Sequence, residues 1–273
     1  MIFLMACAAY TSMYNKKQSA MKHKFTTLIL ITGLVIPQFA SAQGAEEFEP
    51  YLSQESVANS VITLPAPPAP GSAEFLLDEL EYHRAKLLRD TPRGRQAVED
   101  AKMDTTVLRQ FAEAFGYHVT ASSMPRTFRL LMKSKESFGT YGCQSAKEWY
   151  MRTRPFMYYG EPTLTPDDEP FLVGNGSFPS GHSSIAYGLA CIMISLNPER
   201  QDQIWLRAAE TAYSRVIVGA HWLSDTKAAL VVAITVFARL QADPQYIVDF
   251  RLAKDEIDAL KVTTRNVSQR DLY

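Results

Sequence analysis

The sequence predicts an all-α protein, a compact multi-helix bundle. Three observations lead to this prediction. Apolar residues recur at helical spacing through most of the chain, residues suited to helix N-caps precede the apolar runs, and no convincing series of alternating strands is present. The N-terminal segment is the one part of the 273 residues that follows a different pattern.

The N-terminal segment has the order of an export signal. A short basic region begins at Met21, an apolar stretch follows over 25–39, and the small residues Ala-Ser-Ala precede Gln43. The apolar stretch is short for a bilayer span. We therefore expect a signal peptide at 21–42 and a periplasmic or secreted protein without a membrane span after cleavage. Residues 1–20 form an upstream extension, and Met21 is interpreted as the true start.

The composition of the exported part excludes a nucleic-acid-binding protein. Residues 1–42 contain four Lys and no acidic residue, so cleavage leaves 24 Lys and Arg against 29 Asp and Glu, a formal charge of −5. A mildly acidic chain lacks the basic footprint of nucleic-acid binding. Cys143 and Cys191 remain, and their spacing leaves a disulfide and two free thiols equally open.

Composition divides the exported part into three segments. Residues 43–71 are predicted to be a Pro-rich linker over the surface, because proline lacks the backbone donor and fixes φ. Residues 72–261 carry the helical pattern and form the predicted domain. Residues 262–273 are expected to be a polar tail.

The predicted helices follow from caps, apolar spacing and breakers. Between them, residues 156–178 read as a loop with an acidic patch at 167–169, and the all-round apolar residues 228–237 read as the central helix of the bundle. In chain order the expected helices begin at Ser72, Thr91 and Asp104 and then span 123–154, 180–196, 198–218, 221–240 and 244–261.

The first of three polar blocks contains Lys147 and Arg154. The two residues are seven positions apart, close to two helical turns, so both cations are expected on one face of the helix over 123–154. Two like charges on one face indicate a shared anion. The alternative is a solvated basic stripe that also includes Arg152.

The second block, residues 176–183, reads as a loop that leads into a helix. Pro179 fixes the entry, Ser180 can cap the helix, and Gly181 lets the backbone approach a ligand closely. The unpaired N–H groups of the first turn would then face an anion. His182 lies in this turn, where a lone histidine is more often structural than catalytic.

The third block contains Arg215, Gly219, His221 and Asp225. His221 and Asp225 are four positions apart, a spacing at which a helical Asp can accept from imidazole Nδ1–H and leave Nε2 exposed. Gly219 supplies a break that would bring Arg215 round to the same site. The alternative is a surface His–Asp pair. Together the three blocks supply cations, backbone donors and two imidazoles, an inventory that suits phosphoryl transfer.

The three blocks resemble the signature of the type 2 phosphatidic acid phosphatase superfamily, which also contains vanadium haloperoxidases. The matching residues are Lys147 with Arg154-Pro155, then Pro179-Ser180-Gly181-His182, then Ser214-Arg215 with His221 and Asp225. Within the superfamily, the export signal, the Pro-rich segment and the extended block over 176–183 make the chain similar to class A bacterial non-specific acid phosphatases. The resemblance implies the all-α bundle of this superfamily, with the catalytic domain over 72–261.

The resemblance also implies roles for the matching residues. His221 would be the nucleophile that forms a phosphohistidine, and Asp225 would orient it. His182 would protonate the leaving alcohol and later activate water. The phosphate oxygens would be held by Lys147, Arg154, Arg215, the Ser180 hydroxyl and the Gly181 N–H.

The activity that the resemblance implies is a secreted acid phosphatase of broad specificity for small phosphate monoesters. We expect no metal and no cofactor, a bell-shaped acidic pH optimum because one imidazole must be neutral and the other protonated, and a homodimer as in many relatives. The closest alternative is a periplasmic apyrase acting on nucleoside di- and triphosphates. A lipid phosphatase, a vanadium-dependent haloperoxidase and a catalytically silent binding module are further alternatives.

Overall fold

The computed structural model describes residues 48–270, with side chains through residue 262. The predicted upstream extension and signal peptide, residues 1–42, lie outside the described residues. Within residues 48–270 the chain forms helices and no strands, which confirms the all-α class predicted from the sequence.

Thirteen α-helices lie within this described part. They are α1 (Ser60–Thr63), α2 (Ala73–Lys86), α3 (Pro92–Glu99), α4 (Thr106–Gln110), α5 (Ala112–Phe115), α6 (Pro125–Glu136), α7 (Gly142–Tyr150), α8 (Pro155–Tyr159), α9 (Glu169–Val173), α10 (Gly181–Leu196), α11 (Gln201–Ile217), α12 (Leu223–Leu240) and α13 (Pro244–Arg270). A π-helical turn, Ser137–Tyr141, joins α6 to α7, and 3-10 turns at Pro166–Asp168 and Pro198–Arg200 precede α9 and α11.

The predicted caps at Ser72, Thr91 and Ser180 form where the sequence places them, whereas the N-cap of α4 is Thr105 and not the predicted Asp104. Ser72 Oγ accepts from the N–H of Phe75 at 3.1 Å and begins α2. Thr91 Oγ1 accepts from the N–H of Arg93 at 3.2 Å, with proline at the first position of α3. These local signals are enough to place the starts of the helices, because each capping side chain accepts from an N–H group of the first turn that has no acceptor within the helix.

Helix α10 is the central helix of the bundle. It packs against both α11 and α12, and ten of its sixteen residues are buried. A Cβ added to Gly188 would lie 2.2 Å from a ring carbon of Phe138, so the π-helical turn approaches α10 closely. The prediction of a central helix at 228–237 is wrong, because Val231 and Ile234 of α12 are 40% and 51% exposed.

The single helix predicted over 123–154 is three separate segments. Helix α6 passes through the π-helical turn into α7, which ends at Tyr150. Met151 then takes a left-handed conformation with φ of 42°, and Arg154 is extended. Pro155 begins α8 rather than ending a helix. The predicted loop over 156–178 therefore contains α8, a 3-10 turn and α9.

The predicted helix over 221–240 begins two residues later. Helix α11 ends at Ile217, and Gly219 has φ of +90°, which makes the break that the sequence indicates. Trp222 is the N-cap of α12, so His221 lies outside the helix. The prediction that His221 and Asp225 lie on one face of a helix is therefore wrong. The turn before α12 brings the two side chains together instead.

The described part of the predicted linker belongs to the core. Leu52, Val61 and Leu64 are at most 5% exposed and pack in the main apolar cluster. Tyr51 donates its hydroxyl to Asp249 Oδ2 of α13 at 2.6 Å. The Pro-rich segment is non-helical as expected, but apolar side chains before it fill the bundle. At the other end, α13 continues to Arg270 through most of the predicted polar tail.

Two further properties of the described residues bear on the predictions. Cys143 and Cys191 are free thiols, which decides between the two alternatives that their spacing leaves open. No helix between residues 48 and 270 combines the length and the apolar character needed to cross a bilayer.

Substitution of Leu64 tests whether the segment before the domain is structural. We expect Leu64→Ala to lower the free energy of unfolding by about 2–5 kcal/mol, the usual cost of a buried Leu-to-Ala change. Ile62→Ala is the matched control, since Ile62 lies two residues earlier, in α1, and is 68% exposed. Urea denaturation of the three proteins measures the difference. Equal midpoints for all three would show that the segment does not contribute to the core.

Candidate active site

Lys147 and Arg154 meet at one backbone carbonyl. Lys147 Nζ, in the last turn of α7, donates to the carbonyl oxygen of Gly176 at 2.7 Å, and Arg154 Nη2 donates to the same oxygen at 3.3 Å. The two cations therefore come together although α7 ends between them. A Cβ on Gly176 would lie 2.5 Å from the Lys147 carbonyl oxygen, so only glycine fits at this crossing.

Arg154 is held by further carbonyl groups. Its guanidinium donates to the carbonyl oxygens of Leu172, Asn175 and Ala220 at 3.0–3.1 Å. Nη1 also lies 3.1 Å from Nε2 of His221. Burial lowers the pKa of Arg154 to about 10, and burial followed by the Arg154 charge lowers the pKa of Lys147 to about 8. Both groups are cations at neutral pH.

Arg215 is buried without a hydrogen-bond partner. It lies in the last turn of α11 and is 0% exposed, and none of its three guanidinium nitrogens has a partner among the residues that the structure describes. Burial, then the neighbouring Arg154, lowers its pKa to about 10. Buried donors without partners are costly, so this guanidinium is suited to binding an anion.

The Ser180 block forms the N-terminus of α10. Ser180 Oγ accepts from the N–H and from the hydroxyl of Ser183, at 3.3 and 2.9 Å, so its own proton is left to donate. The N–H groups of Gly181 and His182 belong to the first turn, which has no acceptor within the helix. Ser180 N–H donates to the carbonyl oxygen of Asp225 at 3.1 Å and so joins the second block to the third.

His182 contacts a carbonyl group outside its own helix. Nε2 lies 3.2 Å from the carbonyl oxygen of Ala101. Because a carbonyl can only accept, Nε2 carries the proton of this contact, and Nδ1 is the nitrogen left to exchange a proton. Burial, followed by the charge of Arg215 and by His221, lowers the pKa of His182 well below its ordinary value.

His221 presents Nε2 to the cations and Nδ1 to a carboxylate. Nδ1 lies 3.4 Å from Asp225 Oδ2, an ion-pair distance outside hydrogen-bond geometry. A guanidinium can only donate, so the Arg154 contact leaves the lone pair on Nε2 and the proton on Nδ1. Burial and then the charges of Arg154, Lys147 and Arg215 lower the pKa of His221 well below its ordinary value. The positive surroundings therefore favour the neutral ring.

The Asp225 carboxylate has two partners besides His221. Its Oδ2 accepts from the N–H of Trp222 at 2.9 Å, and its Oδ1 accepts from Arg152 Nη1 at 2.5 Å. Arg152 also donates to Asp78 of α2 at 2.7 Å. The alternative of a solvated basic stripe is thus wrong for Arg152, because its side chain is 8% exposed and lies between two carboxylates.

Sequence reasoning missed four of the residues that contact the predicted site. Asp78 and Ala101 lie far from the three blocks and carry no local pattern. Ser183 and Arg152 lie inside or beside the blocks, and the position of Ser183 three residues after an N-cap is a signal that points to it.

All eight predicted site residues lie in one neighbourhood. They are joined by the hydrogen bonds and contacts described above and by the charges that lower the pKa values of His182 and His221.

The arrangement is suited to a tetrahedral oxyanion. Lys147, Arg154 and Arg215 supply positive charge, and the Ser180 hydroxyl and the first turn of α10 supply donors. The imidazoles of His182 and His221 lie beside these groups. Between residues 48 and 270, no group of three or more His, Cys, Asp or Glu side chains could hold a metal ion.

The charges around the two imidazoles predict how they titrate. We expect the imidazole signals of His182 and His221 to titrate well below the ordinary pKa of about 6.5. Arg215→Met removes a cation that disfavours imidazolium, so both pKa values should rise, and inorganic phosphate should raise them in the unsubstituted protein. Proton-detected NMR against pH measures this. Arg239→Met, on the exposed face of α12, is the matched control, and unchanged titration in Arg215→Met would contradict the assignment.

Comparison with known proteins identifies the family of this chain. Residues 137–248 match the family model of the PAP2 superfamily. A protein named non-specific acid phosphatase from Providencia stuartii is 42% identical over 77% of this chain and 86% of its own length. The non-specific acid phosphatase of Salmonella typhimurium strain LT2 is 34% identical, over 85% and 92% respectively. An acid phosphatase of Zymomonas mobilis is 29% identical, over 87% and 89%. The chain therefore belongs to the PAP2 superfamily, among its non-specific acid phosphatases.

Proposed function

We propose that this protein is an exported acid phosphatase that hydrolyses small phosphate monoesters through a phosphohistidine on His221. The observation that carries the proposal is the buried guanidinium of Arg215, which has no hydrogen-bond partner among the described residues and lies near Lys147 and Arg154. Among the described residues, no carboxylate forms a direct ion pair with any of these three cations, so the cluster is suited to a multivalent anion. Relatives named acid phosphatases support a phosphate ester as that anion.

The first step of the proposed mechanism is attack by His221. The lone pair on Nε2 forms a bond to phosphorus while the bond between phosphorus and the ester oxygen breaks. Lys147, Arg154 and Arg215 stabilise the charge on the three equatorial oxygens. The departing oxygen takes a proton from the protonated form of His182, and the alcohol leaves.

The second step reverses these roles. His182, now neutral, takes a proton from water, and the water oxygen attacks phosphorus as the bond to His221 Nε2 breaks. Phosphate leaves, and both imidazoles return to their starting states. The 3.2 Å contact between His182 Nε2 and the Ala101 carbonyl oxygen supports Nδ1 as the nitrogen that exchanges the proton in both steps.

The Asp225 carboxylate supports the covalent intermediate. Phosphorylation of Nε2 makes the ring positive, with its remaining proton on Nδ1. Asp225 Oδ2, at 3.4 Å, is the nearest group of opposite charge to that proton, and a modest closure of this distance gives a charge-assisted hydrogen bond. The carboxylate therefore favours the charged intermediate over the neutral starting ring.

Broad specificity and export complete the proposal. The donors described above are suited to phosphoryl oxygens and not to a particular alcohol, which supports broad specificity. The signal-like sequence at 21–42 supports an action outside the cytoplasm. Both properties go beyond the family membership.

Trapping the intermediate tests the nucleophile. We expect radiolabelled phosphomonoester, quenched in alkali because phosphohistidine is labile in acid, to leave label on the peptide that contains His221. His221→Ala should abolish the label, since it removes the proposed attacking imidazole. His182→Ala should prolong it and lower kcat about 10²- to 10⁴-fold, the usual contribution of general acid–base catalysis.

The control for this experiment is His118→Ala, which changes an exposed histidine outside the three blocks. It should label and turn over like the unsubstituted protein. Label that persists in His221→Ala, or maps to another residue, would refute the proposed nucleophile.

The pH dependence follows from the two lowered imidazole pKa values. Activity should fall at low pH as His221 gains a proton and at higher pH as His182 loses one, which gives a bell with an acidic maximum. Bound phosphoryl oxygens favour imidazolium, so the alkaline limb of kcat should lie at higher pH than that of kcat/KM. Above about pH 8, loss of the Lys147 charge should weaken phosphate binding further. A flat profile from acid to alkaline pH would contradict the mechanism.

A further inference from the structure

Arg152 joins the predicted orienting carboxylate to a second buried carboxylate. Its Nη1 donates to Asp225 Oδ1 at 2.5 Å, and its Nη2 donates to Asp78 Oδ2 at 2.7 Å. Asp225 is 0% exposed and Asp78 is 2% exposed. The two terminal nitrogens of one guanidinium thus each donate to a different carboxylate, one in α12 and one in α2.

Asp78 also fixes the start of α12. Its Oδ1 accepts from the N–H of Ser224 at 2.8 Å, and its Oδ2 accepts from the Ser224 hydroxyl. Ser224 Oγ in turn accepts from Arg152 Nη1 at 2.7 Å. The three side chains form a closed set of hydrogen bonds next to Asp225, so neither Arg152 nor the first turn of α12 can rotate without breaking several of them.

Two aromatic rings lie close to the Arg152 guanidinium. Its guanidinium carbon lies 5.6 Å from the ring centroid of Trp222 and 5.8 Å from that of Phe75. These rings exclude water from a charged group and favour a cation above their faces. Arg152 is therefore fixed in direction by its surroundings rather than by one bond.

The two carboxylate oxygens of Asp225 have different partners. Arg152 occupies Oδ1, and the Trp222 N–H together with His221 Nδ1 face Oδ2. Without Arg152 the carboxylate could turn about its own side chain, and two buried negative groups would be left with one cation fewer. An orienting carboxylate must itself be held in one orientation to act.

We propose that Arg152, anchored by Asp78, is a positioning residue that fixes the Asp225 carboxylate with Oδ2 toward His221. This inference rests on the proposed role of His221 as nucleophile. Arg152 touches neither the phosphoryl group nor the reacting nitrogen, and it acts through Asp225 alone. Loss of Arg152 or Asp78 therefore slows the chemical steps and leaves phosphate binding to Lys147, Arg154 and Arg215 intact.

Steady-state kinetics of Arg152→Gln and Asp78→Asn test this. Both variants should lower kcat about 10- to 100-fold, the range for loss of a charge-assisted hydrogen bond. The inhibition constant of inorganic phosphate should change by less than about twofold, since the phosphate ligands are untouched. Arg152→Lys should recover part of kcat, because an ammonium keeps the charge but lacks the planar fork.

A double-mutant cycle separates an action through Asp225 from a general structural effect. In an Asp225→Asn background, Asp78→Asn should lower kcat by no more than about twofold, because its target is already absent. Asp249→Asn is the matched control. It also changes a buried carboxylate that accepts a hydrogen bond, in α13, and should leave kcat unchanged.

The outcomes distinguish the inference from the proposed function. Full kcat in Asp225→Asn would overturn the proposed role of that carboxylate. If Asp225→Asn lowers kcat, but adding Asp78→Asn to that variant lowers kcat by its full factor again, the inference is overturned and the proposed function is not. Parallel weakening of phosphate binding and kcat would also overturn it, since that is the result of a distorted site. If Arg152→Gln does not fold, Asp78→Asn carries the test, because its amide oxygen still accepts from Ser224 N–H.

Discussion

The burial of three like charges in one place is the constraint on which the rest of this structure depends. Lys147 and Arg154 are stabilised by backbone carbonyl dipoles, and Arg215 has no hydrogen-bond partner among the described residues. Placing such a cluster inside a helical bundle costs stability, which the surrounding core must offset. Helix α10 and its apolar neighbours supply that core, and its N-terminus provides the donors that complete the cluster.

Negative charge is present near the cluster but is kept apart from it. Asp225 faces Arg152 and His221, and Asp78 faces Arg152 and the start of α12. A carboxylate in direct contact with Arg215 or Lys147 would compete with a bound phosphoryl group. The separation of the two charge systems leaves the cations available and still gives the imidazole an anionic neighbour.

Much of the fold could be predicted from sequence because its signals are local. The caps at Ser72, Thr91 and Ser180 and the break at Gly219 each depend on neighbouring residues. The blocks that form the candidate site were recognisable because they combine residue types that phosphoryl transfer needs. Their mutual placement follows from contacts between distant segments, such as the crossing of Gly176 over Lys147.

The errors arose where tertiary contacts override local pattern. Nothing in residues 151–154 marks a helix end, yet Arg154 is drawn to carbonyl groups of residues 172–176 and the helix stops before it. Trp222 has no capping side chain, and α12 begins there because Asp225 accepts from its N–H. Asp78 lies 146 residues from Ser224, so no sequence pattern could join them.

The contact between Tyr51 and Asp249 has a consequence for how the chain matures. These residues are 198 positions apart, and the apolar side chains that follow Tyr51 belong to the same core. When a polypeptide crosses a membrane from its N-terminus, residues near Tyr51 emerge early. They can be buried only after the segment around Asp249, close to the C-terminus, has also emerged. Under the proposed export, stable packing would therefore be postponed until translocation is almost complete, and the chain would stay extended during transport.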